Sequence, residues 1–280
     1  MEITVLGCWA PYPRAGGACS GYLVQGGGVR LMVEAGNGAF SRLMQHIDHR
    51  SLDGVIITHL HRDHYLDLFP MRHAVEGAMR DGSRKRRLPL YLPSWPMEEY
   101  YQLKEYGEAF QVFSIEDLTR KITAGGYDVQ VLKLGGLTIT FAPTRHIIPS
   151  YAVSFLESAQ FGKSGGAGMG FGKGKDTTDS KLVFSGDTAP AEELVALAAG
   201  ADLFICEASG LEKDRKALTG IHCTAGQAAT MARSANVKKL LLTHFWPEYD
   251  IAELKKEAGA IFGSGVDLVV EGKTYKVREW

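Results

Sequence analysis

Several short apolar runs in this chain stop on a histidine or a carboxylate, and that repetition constrains its fold more than any other feature. Val55-Ile56-Ile57 leads into His59, "TITFAPTRH" ends on His146, "KLVFSGD" on Asp187, "DLFICE" on Glu207 and "LLLTH" on His244. Runs of this length, rich in branched and aromatic residues, read as buried strands. In open α/β sheets, reactive groups gather outside the carboxyl ends of the strands. Residues scattered along the chain can therefore converge on one site.

The rest of the chain supports an α/β reading. "EITVLG", "GYLVQ" and "VRLMVEAG" are strand-like with glycine between them, and "GVIITH" is a short buried strand. Helices are expected over 40–47, 66–79, 97–106, 191–199, 225–234 and 251–258. "YDVQVLKLGGLTITFAP" predicts a hairpin about Gly135-Gly136, and "VDLVV" and "TYKVRE" close the chain as strands. Strands interleaved with helices, without a Pro-rich linker, predict one domain over residues 1–280. The Gly- and Lys-rich tract at 161–180 is expected to be a flexible surface loop. Its "GKS" lacks the spacing of a phosphate loop. The basic run from Arg80 to Leu88 reads as a solvated helix end.

Composition excludes several classes. A net charge of −1 provides no whole-molecule field for a polyanion or an anionic membrane. Cys8, Cys19, Cys206 and Cys223 form no C-x-x-C pair, so free thiols are expected. The N-terminal sequence does not read as a signal peptide and no apolar run approaches membrane-spanning length. The expectation is a cytoplasmic protein with no membrane partner.

The densest chemistry lies in "THLHRDHYLDL", residues 58–68, where His59, His61, Asp63 and His64 follow the strand directly. His59 and His61 share a side of an extended segment, and a turn at Arg62 can swing Asp63 and His64 toward a second point. Imidazoles and carboxylates without cysteine suit zinc first, then manganese or iron. The number of such residues asks for two divalent metal ions.

T-H-L-H-R-D-H resembles the H-x-H-x-D-H signature of the metallo-β-lactamase fold superfamily, whose fold is a four-layer α/β/β/α sandwich. His146, the S-G-D-T at Asp187 and the L-T-H at His244 follow in family order. The resemblance implies that His59, His61 and His146 hold one metal. Asp63, His64 and His244 hold the other, and Asp187 bridges them. "LFICEAS" at Glu207 and "GIHCTAGQAA" at His222 resemble paired loops of the ribonuclease Z-like phosphodiesterase branch. That likeness implies phosphodiester hydrolysis by a metal-bridging hydroxide, with Asp63 steering its proton. His222, oriented by Glu207, would assist the phosphate or the leaving group.

Two departures stand out. Glu34 replaces the usual aspartate of the strand-end D-x-G motif. The interval from His146 to Asp187 has only the glycine tract to serve as the long arm of ribonuclease Z proper. The expected substrate is thus a small phosphodiester or a nucleic-acid end. A thioester or lactone hydrolase of the same fold is the alternative, and an iron redox enzyme of that fold is a more distant one. Relatives of this kind often form homodimers. His46, His49 and His73 match no motif and are expected on the surface or on helices.

Overall fold

The computed structural model describes residues 1–123, 125–159 and 179–279. The glycine-rich tract therefore lies outside the described residues, apart from Asp179 and Ser180.

Two sheets stack face to face. The first holds β1 (Glu2–Gly7), β2 (Gly21–Gly26), β3 (Val29–Ala35), β4 (Gly54–Ile56), β5 (Leu88–Leu92) and β6 (Phe110–Ser114) in that order. The second holds β7 (Thr119–Ile122), β8 (Asp128–Leu134), β9 (Leu137–Pro143), β10 (Tyr151–Glu157), β11 (Ser180–Phe184), β12 (Leu203–Glu207), β13 (Leu240–Thr243) and β14 (Val266–Leu268). The final strand, β15 (Thr274–Lys276), crosses back and pairs antiparallel with β1. The two strands expected at the end of the chain thus close different sheets. In both sheets an antiparallel meander gives way to parallel pairs, β3 to β6 and β11 to β14.

Alternation along the strands explains the layering. Tyr22 and Val24 of β2, and Leu31 and Val33 of β3, face the second sheet and join Ile139, Phe141, Val153 and Phe155 in the central core. Leu23 and Met32, between them, face the other way. They pack with Phe40, Leu43, Leu68, Met71 and Val75 from α1 (Ala39–Leu43) and α3 (Leu68–Arg80). One turn, α2 (Arg62–Tyr65), precedes α3, and α4 (Met97–Lys104) adds Tyr100 and Leu103 to the same layer.

On the far side, α5 (Glu192–Ala198), α7 (Ala225–Ser234) and α8 (Ile251–Phe262) cover the second sheet, with the single turn α6 (Arg215–Leu218) between α5 and α7. The result is the α/β/β/α sandwich of the metallo-β-lactamase fold.

The elements follow the sequence reading with two kinds of difference. The helix expected over 40–47 ends at Leu43 and runs out in turns, and α8 continues to Phe262. Strands β6 and β7 were not expected; they are edge strands, and β7 is exposed throughout. The hairpin forms as expected, with Leu134 opposite Leu137 and Gly135 at φ +54°. The basic run is not wholly solvated. Arg84 is half-buried and donates to the carbonyls of Arg50 and Leu52, both at 2.9 Å.

Candidate metal centre

Six segments deliver the site, each at a strand's carboxyl end. Backbone geometry sets each delivery. After β4 the chain stays extended through His61 (φ −80°, ψ 142°), then α2 turns Asp63 and His64 back over the sheet. That is the turn expected at Arg62. The loop leaving β3 passes so close that a Cβ at Gly36 would lie 2.1 Å from the Asp63 carbonyl oxygen. In "SGD", Gly186 takes φ +59° with its Cα packed against Tyr151, which frees Asp187 to face the site.

Two non-glycine residues of the site also adopt left-handed backbone, Glu34 (φ +60°) and His244 (φ +62°). Glu34 is the extra residue of a bulge: Tyr22 pairs with Val33 and Gly21 with Ala35, so Glu34 has no partner on β2. Bulges re-aim side chains, and this one turns Glu34 toward the histidines.

The sequence-expected ligands do converge. Nε2 of His59 and Nε2 of His146 each lie 3.1 Å from Nδ1 of His61. Nε2 of His64 lies 3.2 Å from Nε2 of His244. Asp187, buried at the centre, reaches both groups. Its Oδ2 is 3.5 Å from His59 Nε2 and from His64 Nε2, and its Oδ1 is 3.2 Å from His244 Nε2. Asp63 Oδ2 is 3.4 Å from His64 Nε2 and 3.8 Å from His244 Nε2.

Partners on the outer side fix which ring nitrogen carries a proton. His146 Nδ1 donates to the Ile221 carbonyl at 2.8 Å, leaving Nε2 a lone pair. The Thr58 hydroxyl donates to Glu34, so at 3.1 Å it accepts from His59 Nδ1. Ser209 Oγ donates to Glu207 at 2.6 Å and accepts from His244 Nδ1 at 2.9 Å. For His59, His146 and His244, then, the outer N–H is anchored and Nε2 points inward, an arrangement suited to divalent metals. Among the described residues the donors form four overlapping groups, one of which joins His59 and His64 with Glu34. Another is His59, His61, His146 and Asp187, and a third is Asp63, His64 and His244. In the fourth, Asp187 groups with His222 and His244.

The electrostatics agree with the donor set. Burial holds His59 well below the usual imidazole range and pushes His61 down to about 4, with His146 adding to the latter. Burial acts the same way on His64, but Asp187, Asp63 and Glu34 outweigh it and hold that ring well above its ordinary value. His244 is likewise lowered by burial and raised more by Asp187 and Asp63, to about 10. Burial would raise Asp63, yet His64 and His244 hold it well below the carboxylate range. Such a cluster draws positive charge, and cations compete with protons for the same nitrogens.

His222 stands at the rim of the cluster. Its Nδ1 donates to Glu207 Oε1 at 3.0 Å, and its side chain is 22% exposed to the cleft. Burial lowers its pKa and Glu207 raises it more. Thr224 caps the following helix, α7, through a capping box with Gln227, which fixes the loop behind His222.

His46 and His73 are exposed, and His49 packs edge-on against Phe40. The four cysteines are buried free thiols. Sequence reading missed the relays Thr58 and Ser209, although each lies one or two positions from a residue it did pick out. Among the described residues no helix is long and apolar enough to cross a membrane.

Fold and site together define a metal-dependent hydrolase. A model of the β-lactamase superfamily domain matches residues 29–245, and the chain belongs to that family. A probable metallo-hydrolase of Bacillus subtilis, YhfI, is 27% identical over 97% of this chain and 98% of its own. Its crystal structure superposes with a TM-score of 0.80, 26% identity and 98% coverage of both chains. Ribonuclease Z of Archaeoglobus fulgidus is 29% identical, covering 94% of this chain and 93% of its own. The short form of human tRNase Z shares the fold with a TM-score of 0.72, 20% identity and full coverage of both chains.

Proposed function

We propose that the chain is a cytoplasmic, single-domain phosphodiesterase that works with two divalent metal ions, zinc foremost. His59, His61 and His146 would hold one ion and Asp63, His64 and His244 the other, with Asp187 between them. Its substrate is a small phosphodiester or a nucleic-acid end. When bound, such ions supply a water ionised at neutral pH and countercharge for the attacked phosphate. The chain's own residues supply the rest.

Asp63, ionised at neutral pH, accepts or steers the proton of the attacking water. His222 is the observation that carries the reading. Because its Nδ1–H donates to Glu207, Nε2 is the atom left for substrate. From there it donates a hydrogen bond to charge developing on the phosphate or protonates the departing alkoxide. A lactone also releases an alkoxide that such a donor can serve, so lactones belong in the test below. The relatives named ribonuclease Z support phosphoester chemistry as well. The test is a panel of phosphodiesters, phosphomonoesters, thioesters and lactones on metal-replete protein. Turnover of diesters well above the others is expected, and thioester or lactone hydrolysis without diester cleavage overturns the assignment.

A further inference from the structure

Acid–base and metal chemistry leave part of the cleft without a task. Besides the cluster, the cleft of about 280 Å³ is lined by Ala10, Pro11, Leu218 and Trp246. Trp246 lies two residues beyond His244 yet keeps 44% of its surface exposed. A large ring left open in a cleft marks a contact surface better than isolated apolar exposure elsewhere does.

The ring is also held in place. Tyr249 meets it at 89° with centroids 5.7 Å apart, and Tyr249 Oη donates to Asp214 at 2.8 Å. Trp246 Nε1 faces Tyr12 Oη at 3.4 Å, and Tyr12 donates to Glu248 at 2.7 Å. Pro247 restricts the same loop. A surface fixed before binding has little left to lose in ordering.

We propose that Trp246 is the stacking surface for a single nucleobase carried by the substrate, which makes it a specificity-determining residue. This inference rests on the phosphodiesterase reading above. An indole face favours a flat unsaturated ring in offset stacking over an aliphatic group. Size and charge favour one nucleoside over a strand. The cleft is at the lower edge of the roughly 300–1,000 Å³ typical of small-ligand sites. A strand binder also needs a basic groove and successive stacking platforms. Here the net charge is −1 and the neighbouring exposed ring, Tyr12, is committed to Glu248.

Two diesters with the same leaving group separate the possibilities: thymidine 5′-(p-nitrophenyl) phosphate and methyl p-nitrophenyl phosphate. Wild type is expected to favour the thymidine ester by about 5- to 100-fold in kcat/KM, the range that base stacking supplies, mostly through KM. W246A should bring that ratio toward one and weaken calorimetric binding of thymidine 5′-monophosphate, while W246F retains most of both. Should W246A not fold, W246L keeps bulk without the π-face and reads the same ratio. If wild type cleaves neither ester, the phosphodiesterase reading itself falls. If it cleaves both but the ratio is unchanged in the variant, that reading stands and the stacking role is overturned. An equal fall on both esters also overturns it, because the indole would then only brace the loop after His244.

Discussion

Glu34 and Glu207 stand in different sheets and support the site by different means. Both are buried, at 0% and 1% exposure. Each serves two imidazoles, one directly and one through a hydroxyl. Glu34 faces His64 and reaches His59 through Thr58; Glu207 holds His222 and reaches His244 through Ser209.

Their own support differs. Glu207 accepts from the backbone N–H of Thr188 at 2.6 Å and of Cys223 at 3.2 Å, besides Ser209 and His222. Among the described residues, Glu34 accepts hydrogen bonds from the Thr58 hydroxyl and, at 3.3 Å to each oxygen, from the Thr58 N–H. Its 3.4 Å approach to His64 Nδ1 is an ion-pair distance without hydrogen-bond alignment. Burial raises its pKa, and His64 with Thr58 only partly oppose that. Glu207 is thus a rigid anchor, whereas the charge on Glu34 leans on the cationic cluster it faces.

The largest expected effect comes from removing the residue both glutamates ultimately serve. D187A should lower metal content and reduce turnover by more than the roughly 10–100-fold that an outer partner costs. Elemental analysis after reloading with zinc checks it. A variant that keeps two equivalents and normal turnover would mean that Asp187 joins nothing.

H222A should reduce kcat by about 10²–10³ with metal content unchanged. The fall should be deeper on an alkyl phosphodiester than on a nitrophenyl ester, because a proton donor matters most to a poor leaving group. Loss of metal in this variant would make His222 a ligand and erase the contrast between the two glutamates.

The glutamates themselves separate next. E34Q should weaken metal affinity by about 10–100-fold, measured by chelator competition, with kcat near normal once metal is saturating. E207Q should reduce kcat instead, through His222. It should also cost about 1–3 kcal/mol of stability in denaturant, because either orientation of the amide sets its NH2 against a backbone N–H. Identical phenotypes for the two variants would break the comparison.

The smallest effect is expected for T224A. Losing the cap of α7 should cost about 0.5–2 kcal/mol in chemical denaturation while leaving metal affinity untouched.

Much of this was legible in advance. The strand ends at His59, His146, Asp187, Glu207 and His244 were readable because a buried strand shows as an apolar run and the polar residue closing it stands out. β7 was not readable. A fully exposed edge strand has no buried face, so "TRKI" carries no pattern to detect. The site shows the same division. His59, His61, Asp63 and His64 announce themselves by spacing, whereas Thr58 and Ser209 are ordinary hydroxyl residues until the fold sets each between a glutamate and an imidazole.

The sequence alone determined the alternating α/β architecture and the polar residues that close its strands, because hydrophobic periodicity and polar strand ends are local properties; His222 was picked out only by the resemblance of its loop. Tertiary structure decided how these residues meet. It set Asp187 within reach of His59, His64 and His244, aimed Glu34 by a bulge on β3, and opened Trp246 onto the cleft. The bulge belongs to the β2–β3 hairpin, where Tyr22 pairs with Val33, but its side chain meets imidazoles from another strand end. Asp187 and Trp246 depend on segments far apart in the chain, and the loop after β13 must pack beside Tyr12 before its indole can line anything. No local pattern encodes such long-range meetings.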